Sequence, residues 1–231
     1  MDIEKAFKDF LPVIKDAHKQ KLNEADTRTR VQLFLERVLG YDILKEITQE
    51  FMVSGHYVDL AIKIKGDVKM FIEVKPITTK LRDVHVSQAV NYAANEGVNV
   101  AVLTNLDEWR VYAVSLDEGK VDAQLVIEFS TLSDKPKEVV EYLKLISRES
   151  VVKGHLQKYI AEATSVTDKN LLLAMLSDSV LKALGRELKN LTGHKVNQET
   201  LQKAIINLFS DDVIKLVQKE LKAKEKKKEE S

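Results

Sequence analysis

Two stretches, YVDLAIKI (57–64) and VKMFIEVK (68–75), flank Lys65-Gly66-Asp67, and their alternation suits a β-hairpin. Val58, Leu60, Ile62 and Ile64 on the first stretch, with Val68, Met70, Ile72 and Val74 on the second, make one set of alternate positions that is entirely apolar. The other set is Tyr57, Asp59, Ala61, Lys63, Lys69, Phe71, Glu73 and Lys75. A three-residue loop closing symmetrically about Gly66 puts Asp59 directly opposite Glu73, with Lys75 on the same side. A two-residue Gly66-Asp67 turn would oppose Asp59 to Val74 and scramble this division, because a one-residue slip sends every side chain to the other face. The pattern selects the longer loop. One face is then expected to carry two carboxylates and a lysine above a hydrophobic floor.

The flanking sequence supplies layers for that hairpin. An amphipathic helix is expected over residues 1–22, with Ile3, Phe7, Phe10, Leu11, Ile14 and Leu22 near one stripe and Pro12 kinking or interrupting it. A second helix follows NEAD, carries Val31, Phe34, Leu35, Val38 and Leu39, and ends at Gly40. Residues 43–51 read as a strand, 83–96 as a helix, and 99–105, 108–114 and 123–129 as further strands. The order predicts an α/β domain over 1–135 with a mixed central sheet flanked by helices. Residues 136–231 predict an α-helical C-terminal module, with stripes such as Leu172, Leu176, Val180, Leu184 and Leu188, then Leu201, Ile205 and Leu208.

Composition narrows the chemistry. The 231 residues contain no cysteine, which excludes disulfides, thiolate zinc sites and cysteine nucleophiles. The five histidines are scattered without ligand spacing. No segment has the run of about 18 apolar residues that a membrane span needs, and the charged N-terminus is unlike a signal peptide, so a cytoplasmic protein is expected. The 36 basic and 36 acidic residues cancel, which counts modestly against tight nucleic-acid binding, although a local basic surface can exist within a neutral total. The terminal KAKEKKKEES is expected to be a frayed, mixed-charge tail.

Two carboxylates and a lysine suit metal-assisted phosphodiester hydrolysis. Mg²⁺, with Mn²⁺ as a substitute, takes hard oxygen ligands, here Asp59, Glu73 and the Val74 carbonyl. A bound ion lowers the pKa of water and polarises phosphate, while Lys75 can orient the water or stabilise charge developing on phosphorus. At about 100° per residue, Glu24 shares the helix sector of Val31, Leu35 and Val38 and points toward the sheet, making it an accessory ligand or water-orienting base. Its first-turn position also suits the helix dipole without any further role. Gln88 and Tyr92 lie four apart on one helix face. The competing reading is a solvent-facing strand pair with an ordinary cross-strand lysine–carboxylate contact.

The blocks LNEADTRTRVQLFLERVLGYD, YVDLAI, FIEVKP and SQAVNYAANEGVNVAVLTNLDEWRVY, taken in order, resemble the N-terminal endonuclease domain of type I restriction enzyme R subunits, of the PD-(D/E)XK nuclease superfamily. The resemblance spans residues 20–130. It implies a restriction-endonuclease-like core, Asp59, Glu73 and Lys75 as the nuclease triad, Glu24 as the acidic residue of the first core helix, and Gln88 and Tyr92 as the QxxxY block that assists DNA binding or cleavage. Trp109 falls in the TNGxxW-like block as a structural aromatic, but Leu106 stands where glycine is common, leaving the turn geometry open. No GxxxxGK[ST] loop occurs, so the ATP-driven motor of an R subunit is not expected. These features predict a stand-alone Mg²⁺-dependent DNA endonuclease of restriction or DNA-defence type. Self-association through the C-terminal helices and a separate restriction or translocase subunit are the partners considered. The alternative is a catalytically silent nuclease-fold module for DNA binding or oligomerisation.

Overall fold

The computed structural model describes residues 2–53, 56–117, 119–215 and 217–218. Residues alternate between helix-forming and strand-forming runs, and the chain builds them in the order α1 (Ile3–Gln20), α2 (Glu24–Arg37), β1 (Ile47–Val53), β2 (His56–Ile64), β3 (Asp67–Val74), α3 (Ser87–Asn95), β4 (Val100–Thr104), β5 (Glu108–Asp117) and β6 (Lys120–Ser130). The six strands form one sheet in sequential order, antiparallel throughout except for the parallel pair β3–β4. This is the mixed α/β core that the sequence predicts, with α3 providing the crossover that a parallel pair requires. The helices α4 (Pro136–Ile146), α5 (Arg148–Lys153) and α6 (His155–Ser165) follow, then α7 (Asp168–Met175), α8 (Asp178–Thr192) and α9 (Gln198–Ile206).

Each sheet face has its own core. On one side α1, α2 and α4 bury Phe10, Ile14, Phe34, Leu35 and Leu143 against Leu60, Ile62, Met70, Ile72 and Val74. On the other, α3 packs Ala89, Val90 and Ala93 against Ala61, Phe71, Ala101 and Leu103. The face expected to be polar is therefore covered along its middle, and its charges emerge only at the strand ends. Asn23 caps α2 by accepting the Asp26 amide at 2.9 Å. The helix α1 runs through Pro12 without interruption; its dense apolar stripe outweighs one missing backbone hydrogen bond.

The hairpin reaches the expected register by another route. Lys65 and Gly66 both have positive φ, 54° and 92°, and make a two-residue turn of the kind that joins twisted strands. Ile64 pairs with Asp67 and Lys63 with Val68, but then Ile62 pairs with Met70, so Lys69 is the extra residue of a bulge. The bulge restores the alignment that a three-residue loop would have given. It also turns Val68 to the α3 side, away from Met70 and Ile72. A second switch occurs at Asp59: Leu60 belongs to the first core and Val58 to the second. On the neighbouring strand Glu50 has φ 46°, and Ile47 and Phe51 likewise fall on opposite faces. The uniform apolar face is thus confined to residues 60–64 and 70–74 of the hairpin.

The helical region divides differently from the sequence reading. The chain forms two compact units, Met1–Thr164 and Ser165–Ser231, so the break falls after Thr164 rather than at residue 135. Val139, Val140, Leu143, Ile146, Leu156 and Ile160 belong to the first core, whose apolar helix face they complete. Polar contacts reinforce this packing: the Tyr41 hydroxyl donates to the Ile146 carbonyl at 2.8 Å, and Arg148 closes on Glu46. The second unit has a small core of Leu172, Leu181, Leu201, Ile205 and Val217. Val180 and Leu208, placed on stripes from sequence, are exposed, because the helices break at Leu176 and after Ile206 and the periodicity does not carry across. The KAKEKKKEES tail lies outside the described residues.

The turn between β4 and β5 resolves the question at Leu106. Leu106 is fully buried with φ 80°, a left-handed conformation that costs an L-residue roughly 1–2 kcal/mol. The Asn105 side chain accepts the Asp107 and Glu108 amides, and the Trp109 indole donates to the Leu106 carbonyl at 2.9 Å. Trp109 is buried against Phe34 and Phe129, which establishes the structural role expected of it.

Candidate active site

The site forms where β2 and β3 stop pairing. Their ladder ends at Leu60–Ile72, one residue short of aligning Asp59 with Glu73. From there Asp59 meets β3 with its side chain, Oδ2 accepting the Val74 amide at 2.8 Å. β3 meanwhile continues along β4, pairing Glu73 with Leu103 and Val74 with Thr104, and the Lys75 amide donates to the Thr104 carbonyl at 2.9 Å. Glu73 and Lys75 are therefore anchored through backbone at the end of a parallel pair, and Asp59 is tied to it by its side chain.

Helix α2 closes the site from the side. Thr27 Oγ1 accepts the Ile77 amide at 3.2 Å and donates to the Asn23 carbonyl at 2.6 Å, tying the start of α2 to the segment after β3. Glu24, in the first turn, lies with Oε2 3.7 Å from the Lys75 ammonium. It points as the helix wheel predicts, although its side chain remains about half exposed. One turn on, Arg28 binds Asp59 Oδ1 at 3.0 Å and Glu50 at 3.3 Å. Sequence reasoning missed Arg28, yet its i,i+4 relation to Glu24 put it on the same face.

Glu73 and Lys75 make the tightest contact, with Nζ 2.6 Å from Oε1. Among the described residues this is the only hydrogen bond to the Glu73 side chain, which is 10% exposed. Burial pushes the Glu73 carboxyl above its ordinary range despite Lys75, and the charges of Asp59 and Glu24 push in the same direction. Burial works against the Lys75 charge, but the Glu73 bond and the three neighbouring carboxylates outweigh it and hold the ammonium charged. A buried acid with spare lone pairs beside a second acid is an arrangement that a cation stabilises.

The donor set suits Mg²⁺, which takes one or two carboxylates and retains several waters. Asp59, Glu73 and the Val74 carbonyl are the oxygen groups that could hold it. Among the described residues no three histidine, aspartate or glutamate side chains group closely enough to form a metal cage by themselves. Of the two α3 residues, Gln88 donates from Nε2 to the Tyr57 carbonyl at 3.2 Å, and Tyr92 packs against the second core. Gln88 thus touches the strand that carries Asp59, two residues before that acid, rather than the acid itself.

No family description matches the sequence, and no curated relative does. Among solved structures the chain is similar to the type IIG restriction endonuclease BpuSI, at 16% identity and a TM-score of 0.34, over 69% of this chain and 20% of that one. A likeness of that size speaks to neither substrate nor mechanism. No helix among the described residues is long and apolar enough to cross a membrane.

Proposed function

We propose that the chain is a metal-dependent endonuclease of restriction or DNA-defence type, hydrolysing DNA phosphodiester bonds at the Asp59–Glu73–Lys75 cluster. The observation that carries this reading is Glu73: a buried carboxylate, bonded only by Lys75 among the described residues, beside the charges of Asp59 and Glu24. A structural ion pair needs neither the second acid nor the third.

In this reading Asp59, Glu73 and the Val74 carbonyl would hold Mg²⁺ or Mn²⁺. Such an ion, when bound, would supply Lewis acidity toward phosphate and acidify a water near neutral pH. Lys75 faces the reacting phosphate, its charge maintained by Glu73 and Glu24, and donates hydrogen bonds to oxygens whose charge grows during attack. Glu24, at the solvent-facing edge, orients the attacking water or takes its proton. Gln88 and Tyr92 serve as accessory DNA contacts from α3. Self-association through the C-terminal helices and recruitment of a separate restriction or translocase subunit are the partner proposals.

A silent DNA-binding or oligomerisation module is favoured by one observation: Arg28 and the Val74 amide already engage both oxygens of Asp59. Incubating plasmid, linear and modified DNA with the protein and Mg²⁺ or Mn²⁺, beside Glu73→Ala, separates the readings. Metal-dependent cleavage lost in the variant supports the nuclease. DNA binding without cleavage under every condition supports the silent module.

A further inference from the structure

The second unit contains a groove built from its own residues, and its reading does not depend on the Asp59 centre being catalytic. It lies along α8 and α9, has a volume of about 660 Å³, and has Leu181, Val196 and Leu201 among its lining residues. Lys182, Arg186, Lys189 and Lys195 also line it. At about 100° per residue, the three cations on α8 fall within roughly 60° of one another, and Glu187 points the opposite way. Asp178 shares their sector, but its carboxylate is engaged by Lys182 at 2.5 Å and Gln198 at 3.0 Å. Among the described residues, Arg186, Lys189 and Lys195 make no ion pair, and the N-terminus of α9 opens beside them at Asn197 and Gln198.

Two features of α8 work against the free helix. Like charges at 182 and 186, and at 186 and 189, repel at helical spacing. Gly185 lies on the same face, in a helix interior where glycine is less stable than alanine. A Cβ there would meet nothing within 4 Å, so internal packing does not require the glycine. A polyanion lying in the groove would relieve the repulsion and use the bare backbone for close approach.

We propose that the groove grips a nucleic-acid phosphodiester backbone, with Arg186, Lys189 and Lys195 pairing phosphates and Gly185 letting the strand lie against α8. The contacts are to phosphate and carry no sequence information. The groove supplies a local basic surface within a chain of zero net charge.

Fluorescence anisotropy of labelled duplex and single-stranded DNA, in EDTA and with the full chain carrying Glu73→Ala, measures binding apart from cleavage. Arg186→Gln/Lys189→Gln/Lys195→Gln is expected to raise Kd at least about tenfold near 100 mM salt and to reduce the slope of log Kd against log salt by about 2–3. Gly185→Ala is expected to weaken binding several-fold with helicity maintained or increased. Charge-retaining Arg186→Lys/Lys189→Arg/Lys195→Arg should bind within about threefold of the parent, which keeps the test valid if the neutral variant unfolds. An unchanged Kd and slope in the neutral variant overturns the proposal. So does an equal loss from Lys135→Gln/Lys144→Gln/Lys153→Gln, and so does binding to phosphatidylserine vesicles without binding to DNA.

Discussion

Glu46 and Glu73 are both nearly buried glutamates paired with a basic side chain, yet their surroundings differ in kind. Glu46 precedes β1 and accepts three hydrogen bonds from Arg148, at 2.7–2.9 Å, plus the Asp42 amide at 3.0 Å. The Arg148 bonds hold its carboxyl below the ordinary range. Among the described residues Glu73 has one side-chain hydrogen bond and two acidic neighbours, and burial holds its carboxyl above that range. A carboxylate whose lone pairs are filled by the protein is part of the scaffold. One that is buried and left short is available to something from outside.

The sharpest way to break this contrast is to remove each acid's function separately. Glu73→Gln keeps the volume and is expected to reduce metal-dependent cleavage by roughly 100- to 1,000-fold, with the melting temperature unchanged or raised. Plasmid nicking and a thermal melt on the same sample measure both. Cleavage within tenfold of the parent would remove Glu73 from the centre.

Arg148→Ala tests the other side. It strands Glu46 in a largely buried position, and because the Arg148 side chain is 44% exposed the cost is put at about 2–3 kcal/mol, below that of a fully buried pair. Urea denaturation should show that loss while the DNA-binding constant stays the same. A melt unaffected by the substitution would mean that the latch between β1 and α5 contributes nothing.

The smallest effect is in pH. Glu46, with its carboxyl lowered, contributes stability that is present above the ordinary 4.5 and is lost as pH falls through its folded value. Glu73, with its carboxyl raised, works oppositely: its protonated form is favoured in the fold, so that contribution is present at and below 4.5 and is lost as pH rises through the raised value. Stability against pH in EDTA should therefore change slope in opposite senses for Glu46→Gln and Glu73→Gln. Parallel curves would show that the two acids are alike after all.

The sequence made the sheet legible because its strands are short, apolar and well punctuated, and it made the Asp59–Glu73–Lys75 grouping legible because register follows from alternation. Glu24 was reachable by helix geometry, and Arg28 stood one turn further along the same face. The face switches at Glu50–Asp59 and at Lys69 were not legible: neither glutamate nor lysine signals a positive φ or a bulge, and tertiary packing fixes both. The domain boundary misled for a different reason. α4–α6 are as helical as α7–α9 in pattern, and only the contacts of Leu143, Ile146 and Arg148 show which core they serve.

The bulged hairpin makes the site tolerant of changes in chain length. Because Lys69 is unpaired in the ladder, a chain lacking it would still close on Lys65-Gly66, and Ile62–Met70, Ala61–Phe71 and Leu60–Ile72 would remain partners. A deletion or its reversal is absorbed at the hairpin tip and does not reach the carboxylates. The distance from turn to site is thus counted in paired rungs rather than in residues, and the spacing between Asp59 and Glu73 can vary in sequence while staying constant in space.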